Sequence, residues 1–341
     1  MNTTVTCPPD ATTRDSSSEP QGKTCDLCGG VDFEPVSSRD RHGEELETGV
    51  CTQCGLVAHM HIPSEAELHR FYSEDYRQDY HGELTPSRRR VMRAWKNGQR
   101  IFGQLQSHLT PGQRLLEVGA GIGCTVKVFE LNGWQASGID PNVGFLNYSR
   151  EHLHSPITVG NLYDLPKQEA YDVVLLIHVI EHFRSPKAAL QHIRQLLPTG
   201  GKFYVECPNL AAPFATQRRL FHFAHIHNFT PQTLQWMAEL CGFRLVSSFG
   251  SEFDPNLQML FEAAEPQAVD FSGGLAATQE ALHRYNSLTY HLRPSYATSR
   301  LGKVCSYLWE HLHANSFVAG IEEQCSARPI QETQEPLRRA A

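Results

Sequence analysis

Short apolar runs alternate with amphipathic segments from about residue 110 onward, and this alternation most constrains the fold. The runs are bounded by turn residues and separated by stretches of helical spacing, the pattern of a parallel sheet covered by helices on both faces. We therefore predict a doubly wound α/β domain over residues 110–265. Its seven predicted strands are Arg114–Val118, Gln135–Ile139, Ile157–Gly160, Tyr171–Ile177, Lys202–Glu206, Arg244–Phe249 and Leu257–Ala264.

The first predicted strand, Arg114–Val118, runs into a loop with glycine at positions 119, 121 and 123, ahead of a helical segment. Glycines in such a loop let the backbone approach a nucleotide-like ligand. The dinucleotide pattern GxGxxG has its third glycine one residue later, at the position of Cys124 in this chain. A nicotinamide-dependent oxidoreductase is therefore an alternative that the spacing disfavours.

Further motifs follow in order along the predicted sheet. Asp140 stands at the tip of the second strand, Tyr171–His182 contains the fourth strand and its turn, Leu197–Gly201 contains a Pro-Thr-Gly-Gly turn, and His227–Thr230 and Cys241–Phe243 flank a later helix. Together with the ExGxG loop, these motifs resemble the class I S-adenosylmethionine-dependent methyltransferases over residues 105–265. The resemblance implies a Rossmann-like seven-stranded fold and S-adenosylmethionine as the cofactor.

The resemblance also implies roles for residues of the predicted cofactor site. The three glycines would let the backbone approach the amino acid part of the cofactor, and Glu117 would hold the loop or the cofactor ammonium through water. Asp140 would accept hydrogen bonds from the ribose hydroxyls, although a helix-capping carboxylate is the alternative. Asn161 and Leu162 would frame the adenine, and His178 would line the methionine end. The implied cofactor-binding residues are Glu117, Gly119, Gly121, Gly123, Asp140, Asn161, Leu162 and His178.

His178, Glu181 and His182 form an HxxEH motif, which inverted zinc proteases also carry. A metallopeptidase needs this motif within a helix, whereas here it directly follows an apolar strand, Val173–Ile177, where a cofactor crevice is expected to open. The sequence therefore disfavours a protease. His182 is a candidate general base, with a residue that packs the crevice wall as the alternative.

Three further histidines, at positions 222, 225 and 227, precede a predicted helix whose cap is Thr230 with Pro231 in its first turn. Histidines that precede a helix on the crevice side are candidate acceptor ligands or bases, and His227 is the strongest of them. Exposed surface histidines without a function are the alternative.

Two CxxC knuckles, each followed by glycine, lie in the N-terminal part of the chain. Two residues between the cysteines let both thiolates point at one cation, and two knuckles complete a tetrahedral sulfur shell with no open position. The 22 residues between Cys28 and Cys51 leave room for a hairpin. We therefore predict a structural zinc ion in a zinc ribbon, with free core cysteines or a redox pair as alternatives. The predicted ligands are Cys25, Cys28, Cys51 and Cys54.

The N-terminal half resembles the zinc-bearing methyltransferases that modify sugars and polysaccharides, on the two knuckles and the following Phe71–Tyr76. About 75 residues follow the predicted sheet, which departs from the further α/β domain expected of sugar C-methyltransferases. The predicted acceptor is a small molecule or a carbohydrate, such as a nucleotide sugar or a polysaccharide. Candidate lid residues over the acceptor are Tyr72, Tyr76, Tyr80 and His81.

The composition limits the location and the partners of the protein. A formal net charge of −7 argues against general nucleic-acid affinity, which disfavours a noncatalytic nucleic-acid-binding zinc ribbon. The sequence lacks an apolar run long enough to cross a membrane, and its first residues do not read as a secretory signal, so we predict a cytoplasmic protein. A basic helical face is expected to be solvated, with phosphate contact as the alternative; it consists of Arg89, Arg93, Lys96 and Arg100.

These patterns divide the chain into a methyltransferase domain with flanking segments. The composition of the first residues, rich in Ser, Thr and Pro, cannot repay the entropy of ordering. The predicted organisation is a disordered tail at 1–22, a zinc ribbon at 23–62, a helical connector and lid at 63–109, the S-adenosylmethionine-binding domain at 110–265, a helical extension at 266–320 and a tail at 321–341.

Overall fold

The computed structural model describes residues 23–64, 67, 85–212, 215–216, 219–251, 254–284, 287–292 and 294–327. The predicted disordered tail and the candidate lid residues Tyr72, Tyr76, Tyr80 and His81 lie outside the described residues. So do residues 328–341.

A seven-stranded sheet forms the centre of the protein. Its strands are β4 (Arg114–Val118), β5 (Gln135–Asp140), β6 (Ile157–Val159), β7 (Val173–Ile177), β8 (Lys202–Pro208), β10 (Phe243–Phe249) and β11 (Asn256–Ala263). All seven predicted strands are confirmed, each end within two residues of its predicted position. Their order across the sheet is β10-β11-β8-β7-β4-β5-β6, and β11 alone runs opposite to the other six strands, antiparallel to both β10 and β8.

Burial explains where the strands lie in this sheet. The central strand β7 is a continuous apolar run, Val-Val-Leu-Leu-Ile, because helices cover both of its faces. The edge strand β10 alternates buried and more exposed residues instead. The predicted α/β, Rossmann-like fold class is thereby confirmed.

Helices connect the strands and cover both faces of the sheet. They are α1 (Arg88–Leu105), α2 (Cys124–Leu131), α3 (Val143–Tyr148), α4 (Pro186–Leu196) and α5 (Pro231–Leu240). Local capping sets where two of them begin: the Ser185 side chain accepts a hydrogen bond from the Ala188 N–H ahead of α4, and Thr230 and Thr233 cap each other at the start of α5, as predicted for Thr230.

The N-terminal segment forms a small antiparallel sheet that continues into the main domain. Its strands are β1 (Phe33–Arg39), β2 (Glu45–Cys51), β3 (Val57–His59) and β9 (His227–Asn228), in that order. The predicted hairpin between the two knuckles is the β1–β2 pair. Strand β9 comes from the chain between β8 and α5, so the main domain contributes one strand to the small sheet and is joined to the N-terminal segment there.

Three helices follow the sheet: α6 (Gly274–His283), α7 (Ser287–Leu292) and α8 (Pro294–Ser326). Helix α8 continues past residue 320, where the sequence predicted a tail. It packs along α1, and Glu310 pairs with Arg93 while Glu322 pairs with Arg88. Lys96 lies 3.9 Å above the ring centroid of Trp309. Three residues of the basic face, Arg89, Arg93 and Lys96, therefore contact α8, whereas Arg100 pairs with Glu206 of β8.

Within the described parts of the chain, no helix has the length and apolar character needed to span a membrane. A cytoplasmic location stays a prediction from the sequence.

Candidate cofactor and acceptor site

The loops that follow β4 and β7 diverge at the centre of the sheet. Strand β4 has parallel neighbours on both sides, and the chain continues from it to β5 and β6 on one side before it crosses back to β7 on the other. In open α/β sheets, ligands bind in the crevice that such a switch point creates at the carboxyl ends of the strands. Gly119, which follows β4, and His178, which follows β7, both stand at this crevice.

The glycine loop has all three glycines in the left-handed region, with φ of +75° at Gly119, +55° at Gly121 and +77° at Gly123. A side chain at Gly119 would overlap Val179, and one at Gly123 would overlap Ile157. At Gly121, by contrast, an added Cβ meets no atom within 4 Å. Gly119 and Gly123 therefore allow close packing of the protein itself, and Gly121 is the glycine that presents open backbone to the crevice.

Asp140 ends strand β5 beside this loop and is 8% exposed. Its Oδ2 accepts a hydrogen bond from the Gly121 N–H at 2.8 Å, and its Oδ1 accepts one from the Asn142 N–H at 2.7 Å. Burial raises the pKa of Asp140, and these two backbone hydrogen bonds oppose that rise. The carboxylate is thus held beside the open glycine, with lone pairs left for further donors.

Glu117, near the end of β4, is 3% exposed. Its Oε2 is buried and has no hydrogen-bond partner among the described residues. Burial, followed by the charge of Asp140, raises the pKa of Glu117 to about 8, against weaker hydrogen bonding from Val126 and Thr125. A buried carboxyl group with an unpartnered oxygen favours a ligand that brings a positive charge.

The two residues predicted to frame an adenine lie after β6. The Asn161 side chain accepts a hydrogen bond from the Tyr163 N–H and caps a short 3₁₀ helix, Leu162–Asp164. Asn161 is exposed, whereas Leu162 is 1% exposed and packs in the main core. Asn161 thus has a local structural role, and its contact with a cofactor stays a prediction.

His178 has the left-handed φ of +53°, which is uncommon for a residue other than glycine and is often found at functional sites. Its Nδ1 lies 3.5 Å from Glu181 Oε1, and its Nε2 lies 3.6 Å from Glu206 Oε1. Burial opposes the charged form, but the neighbouring carboxylates of Glu181 and Glu206 outweigh it and raise the pKa of His178 to about 10. His178 is therefore a cation at neutral pH, held between two carboxylates.

Glu206, on β8, is the second carboxylate beside His178 and is 1% exposed. Arg100 donates a hydrogen bond to its Oε2 at 2.6 Å, and Tyr204 donates another at 3.0 Å. Burial would raise the pKa of Glu206, but the hydrogen bond and charge of His178 and the charge of Arg100 lower it to about 2. Glu206 is thus a fixed anion.

No sequence motif assigned a role to Glu206, although its position at the carboxyl end of a strand was a signal that could have identified it. Arg100 was interpreted only as part of a basic helical face. The contact between them joins residues 106 positions apart, so no local pattern predicts it.

A cluster of His182, His225 and Glu181 lies farther along the same crevice wall. The Nε2 atoms of the two histidines lie 3.8 and 3.9 Å from Glu181 Oε1. Both Glu181 oxygens are buried without a hydrogen-bond partner in the described structure. His182 and His225 are partly exposed, with 20% and 16% of their side-chain surface accessible, so the cluster can be reached from outside.

His227 is not part of this cluster. It lies in β9, opposite Ala58 of the cysteine ribbon, and is 1% exposed. Burial lowers the pKa of His227 to about 3. A general base must contact the acceptor, and the buried side chain of His227 is poorly placed for such a contact.

The four cysteines predicted as zinc ligands converge. All four sulfur atoms lie within 4.8 Å of one another, and Cys25–Cys54 and Cys28–Cys51 are each 3.5 Å apart. Tetrahedral zinc with sulfur at about 2.3 Å needs sulfurs about 3.8 Å apart, so the donor set fits that ion.

The cysteine ribbon is anchored to the main domain near α4. Asp26, between the first two cysteines, accepts hydrogen bonds from the Ser185 hydroxyl at 2.7 Å and the Lys187 N–H at 2.8 Å. Leu27 and Leu56 are buried in the same core cluster as the strands of the large sheet. The cysteine site therefore supports the wall of the crevice from outside.

Comparison with known proteins finds a similarity over the domain around the crevice. A family model described as a methyltransferase domain matches residues 84–248. The matched residues include the glycine loop, Asp140, His178 and the Glu181 cluster. This match confirms the prediction of a methyltransferase domain.

Curated relatives match shorter segments. The chain is 34% identical over 109 residues to a ubiquinone biosynthesis O-methyltransferase of Paramagnetospirillum magneticum, covering 30% of this chain and 44% of the relative. It is 27% identical over 139 residues to the protein of the same name from Pectobacterium atrosepticum, covering 38% and 55%. The chain thus spans about half the length of the curated relatives it matches. A solved Burkholderia thailandensis 1,6-didemethyltoxoflavin-N1-methyltransferase has a TM-score of 0.47 and 16% identity, covering 68% of this chain and 100% of that one.

Proposed function

We propose that the protein transfers a methyl group from S-adenosylmethionine to a hydroxyl group of a small-molecule acceptor. The observation that carries this proposal is the pair Glu117 and Asp140 beside the open backbone of Gly121, at the switch point of a matched methyltransferase domain. A ligand with an amino acid end and a ribose suits that donor and acceptor set.

Each residue of this half of the crevice has a proposed contact. Glu117 would face the ammonium group, Gly121 would admit the amino acid part against its backbone, and Asp140 would accept hydrogen bonds from the ribose hydroxyls. Asn161 and Leu162 would border the adenine. When bound, the cofactor supplies a methyl group on a sulfonium, so the donor is already activated and the protein mainly aligns the acceptor.

The acceptor hydroxyl must lose a proton, and we assign this step to the cluster of Glu181, His182 and His225. His182 donates its Nδ1 proton to the Ala224 carbonyl at 2.7 Å, which orients the ring and presents Nε2 to the crevice wall. A positioned imidazole of this kind suits general base catalysis near neutral pH. His182 is therefore the candidate base, in preference to His227.

The acceptor class is inferred from the relatives and from the residues. The curated relatives are named as O-methyltransferases of ubiquinone biosynthesis, which supports a hydroxyl acceptor on a small molecule. The cysteine ribbon keeps a carbohydrate acceptor as the second candidate, because it carried the resemblance to sugar-modifying enzymes. A structural zinc ion held by Cys25, Cys28, Cys51 and Cys54 belongs to the proposal as well.

A methyl-transfer assay tests the proposal. The full chain, incubated with methyl-labelled S-adenosylmethionine, should add one methyl mass to at least one member of a panel of phenols, catechols, sugars and nucleotide sugars. Asp140→Ala is the matched control, because it should lose transfer at low cofactor concentration while keeping the fold. Absence of transfer to every class, with cofactor bound, would contradict the acceptor assignment.

A further inference from the structure

We propose that Glu181, His182 and His225 hold a divalent metal ion at the acceptor end of the crevice, separate from the four-cysteine site. One ligand atom from each lies within 4.8 Å of the other two. The proposal rests on the proposed function only for what the metal would do, and metal binding itself can be measured without any methyl transfer.

The orientation of His182 matches that of a metal ligand. Its Nδ1 lies 2.7 Å from the Ala224 carbonyl oxygen, which can only accept, so Nδ1 carries the proton. When Nδ1 alone is protonated, Nε2 has the free lone pair, and this atom lies 3.8 Å from Glu181 Oε1. Metal-binding histidines usually donate their other N–H to a carbonyl or carboxylate in this way, which fixes the ring and its tautomer.

The segment that orients His182 also supplies the third ligand. His225 follows Ala224 directly, and its Nε2 lies 3.9 Å from Glu181 Oε1. Its ring packs edge-on against His182 with centroids 4.9 Å apart, and at a tilt of 49° against His222 with centroids 3.7 Å apart. The ring of His225 is thus held in place from two sides.

Glu181 provides the independent reason for a cation. It is 1% exposed, and neither of its carboxylate oxygens has a hydrogen-bond partner in the described part of the chain. A buried carboxylate of this kind is costly unless cations compensate it, and His178, which is shared with Glu206, compensates Glu181 only in part. In a tetrahedral zinc site the ligand atoms lie about 3.3 Å apart, so the two contacts of Glu181 Oε1 with the histidines, at 3.8 and 3.9 Å, would each close by about half an ångström.

His178 is the other group that faces Glu181, with Nδ1 at 3.5 Å from the same oxygen. Its second nitrogen lies 3.6 Å from Glu206, which is anchored by Arg100. His178 therefore keeps a carboxylate partner when a metal binds Glu181, and the two arrangements are compatible.

The donor set indicates the class of metal and its use. Two imidazoles and one carboxylate suit Zn²⁺ and related divalent transition metals, and three protein ligands leave a position open, unlike four thiolates. Because His182 and His225 are partly exposed, that position can be reached from the crevice. With a metal bound, His182 would be a ligand and no longer a base; an acceptor hydroxyl at the open position would then lose its proton to solvent, since a metal lowers the pKa of a bound hydroxyl.

Cobalt titration of the full chain tests this site. Protein whose four-cysteine site is filled with zinc is freed of weakly bound metal and titrated with Co²⁺. We expect one further equivalent per chain, with visible ligand-field absorption and no thiolate charge-transfer band, because its ligands are nitrogen and oxygen. Saturation should follow a single binding curve.

Variants assign the ligands. His225→Ala and the size-conserving His225→Gln should each weaken Co²⁺ binding by about tenfold to a hundredfold or more. His283→Ala, at an exposed histidine on α6, should leave binding unchanged. Cofactor binding by each variant reports whether the fold is intact.

The outcomes separate the metal from the methyl transfer. No cobalt binding beyond the cysteine site, or binding that His225→Gln leaves intact, overturns the metal site while the proposed function stands with His182 as a base. One cobalt bound through His225, in a protein that transfers no methyl group, supports the metal site and contradicts the proposed function.

Discussion

The two halves of the crevice use carboxylates in opposite ways. Glu117, on the glycine-loop side, is buried with an unpartnered oxygen and has its pKa raised to about 8 by burial and the Asp140 charge. Glu206, on the other side, is as deeply buried, but His178 and Arg100 surround it and lower its pKa to about 2 against the effect of burial. Burial alone therefore does not set the state of these groups. The protein surrounds Glu206 with cations, so this carboxylate is a fixed structural charge. Within the described residues it supplies no cation to Glu117, so a ligand can supply that cation.

The acceptor half should show the largest effect on turnover. His182→Ala removes the proposed base, or one proposed metal ligand, and should lower kcat by about 10² to 10⁴. Affinity for S-adenosylmethionine should stay nearly unchanged, because His182 is not among the proposed cofactor contacts. Steady-state kinetics with a responsive acceptor and a separate binding titration measure the two quantities. Normal turnover would move the proton transfer to another residue.

The cofactor half should show the reverse pattern. Asp140→Ala removes charge-assisted hydrogen bonds worth roughly 1.5 to 3 kcal/mol. Cofactor affinity should therefore fall by about tenfold to a few hundredfold. Asp172→Asn is a matched control, because this carboxylate lies at the opposite end of the sheet and pairs with Arg114. Unchanged affinity in Asp140→Ala would exclude the proposed ribose contact.

The raised pKa of Glu117 predicts a pH dependence of binding. With its pKa near 8, Glu117 is mostly protonated at pH 7, and a bound ammonium group favours the ionised form. Binding should then release up to about one proton, and affinity should rise with pH below 8 by at most about tenfold per unit. Calorimetry in buffers of different ionisation enthalpy measures the released proton. Glu117→Gln should abolish the release, and an equal release by both proteins would contradict this assignment.

The cysteine ribbon lies outside both halves and should affect neither directly. Purified protein should contain about one zinc per chain in this site, and Cys51→Ser should release it, because a thiolate ligand is lost. The melting temperature of Cys51→Ser should fall, because Leu27 and Leu56 beside the site belong to the main core. Its cofactor affinity should change less than that of any other variant. Zinc analysis and thermal unfolding measure both. Native protein without zinc would contradict the assignment of the cysteines.

Local patterns predicted most of the fold. The seven strands are recognisable because each is a short apolar run between turn residues, and the four cysteines because CxxC spacing is itself the geometry of a metal knuckle. The glycine loop was predicted as well. The difference between Gly121, which is open, and Gly119 and Gly123, which are packed, depends on Val179 and Ile157, and only the folded structure places those residues against the loop.

Contacts between distant parts of the chain explain what the sequence left open. His225 meets Glu181 across 44 positions, and Arg100 meets Glu206 across 106, so neither pairing has a local signature. The same limit affected His227, whose spacing before a helix resembled that of a site residue although β9 pairs it with the ribbon. The basic face of α1 was interpreted as solvated because its partner, α8, lies about 200 residues away.

Calorimetric titration of the full chain with S-adenosylmethionine and, separately, with NAD tests the central claim most directly. The account predicts saturable binding of one S-adenosylmethionine per chain, displaced by S-adenosylhomocysteine, and no binding of NAD at comparable concentrations. Glu117→Gln and Asp140→Ala should both weaken the first binding. Saturable binding of NAD without binding of S-adenosylmethionine would contradict the account and favour the oxidoreductase alternative.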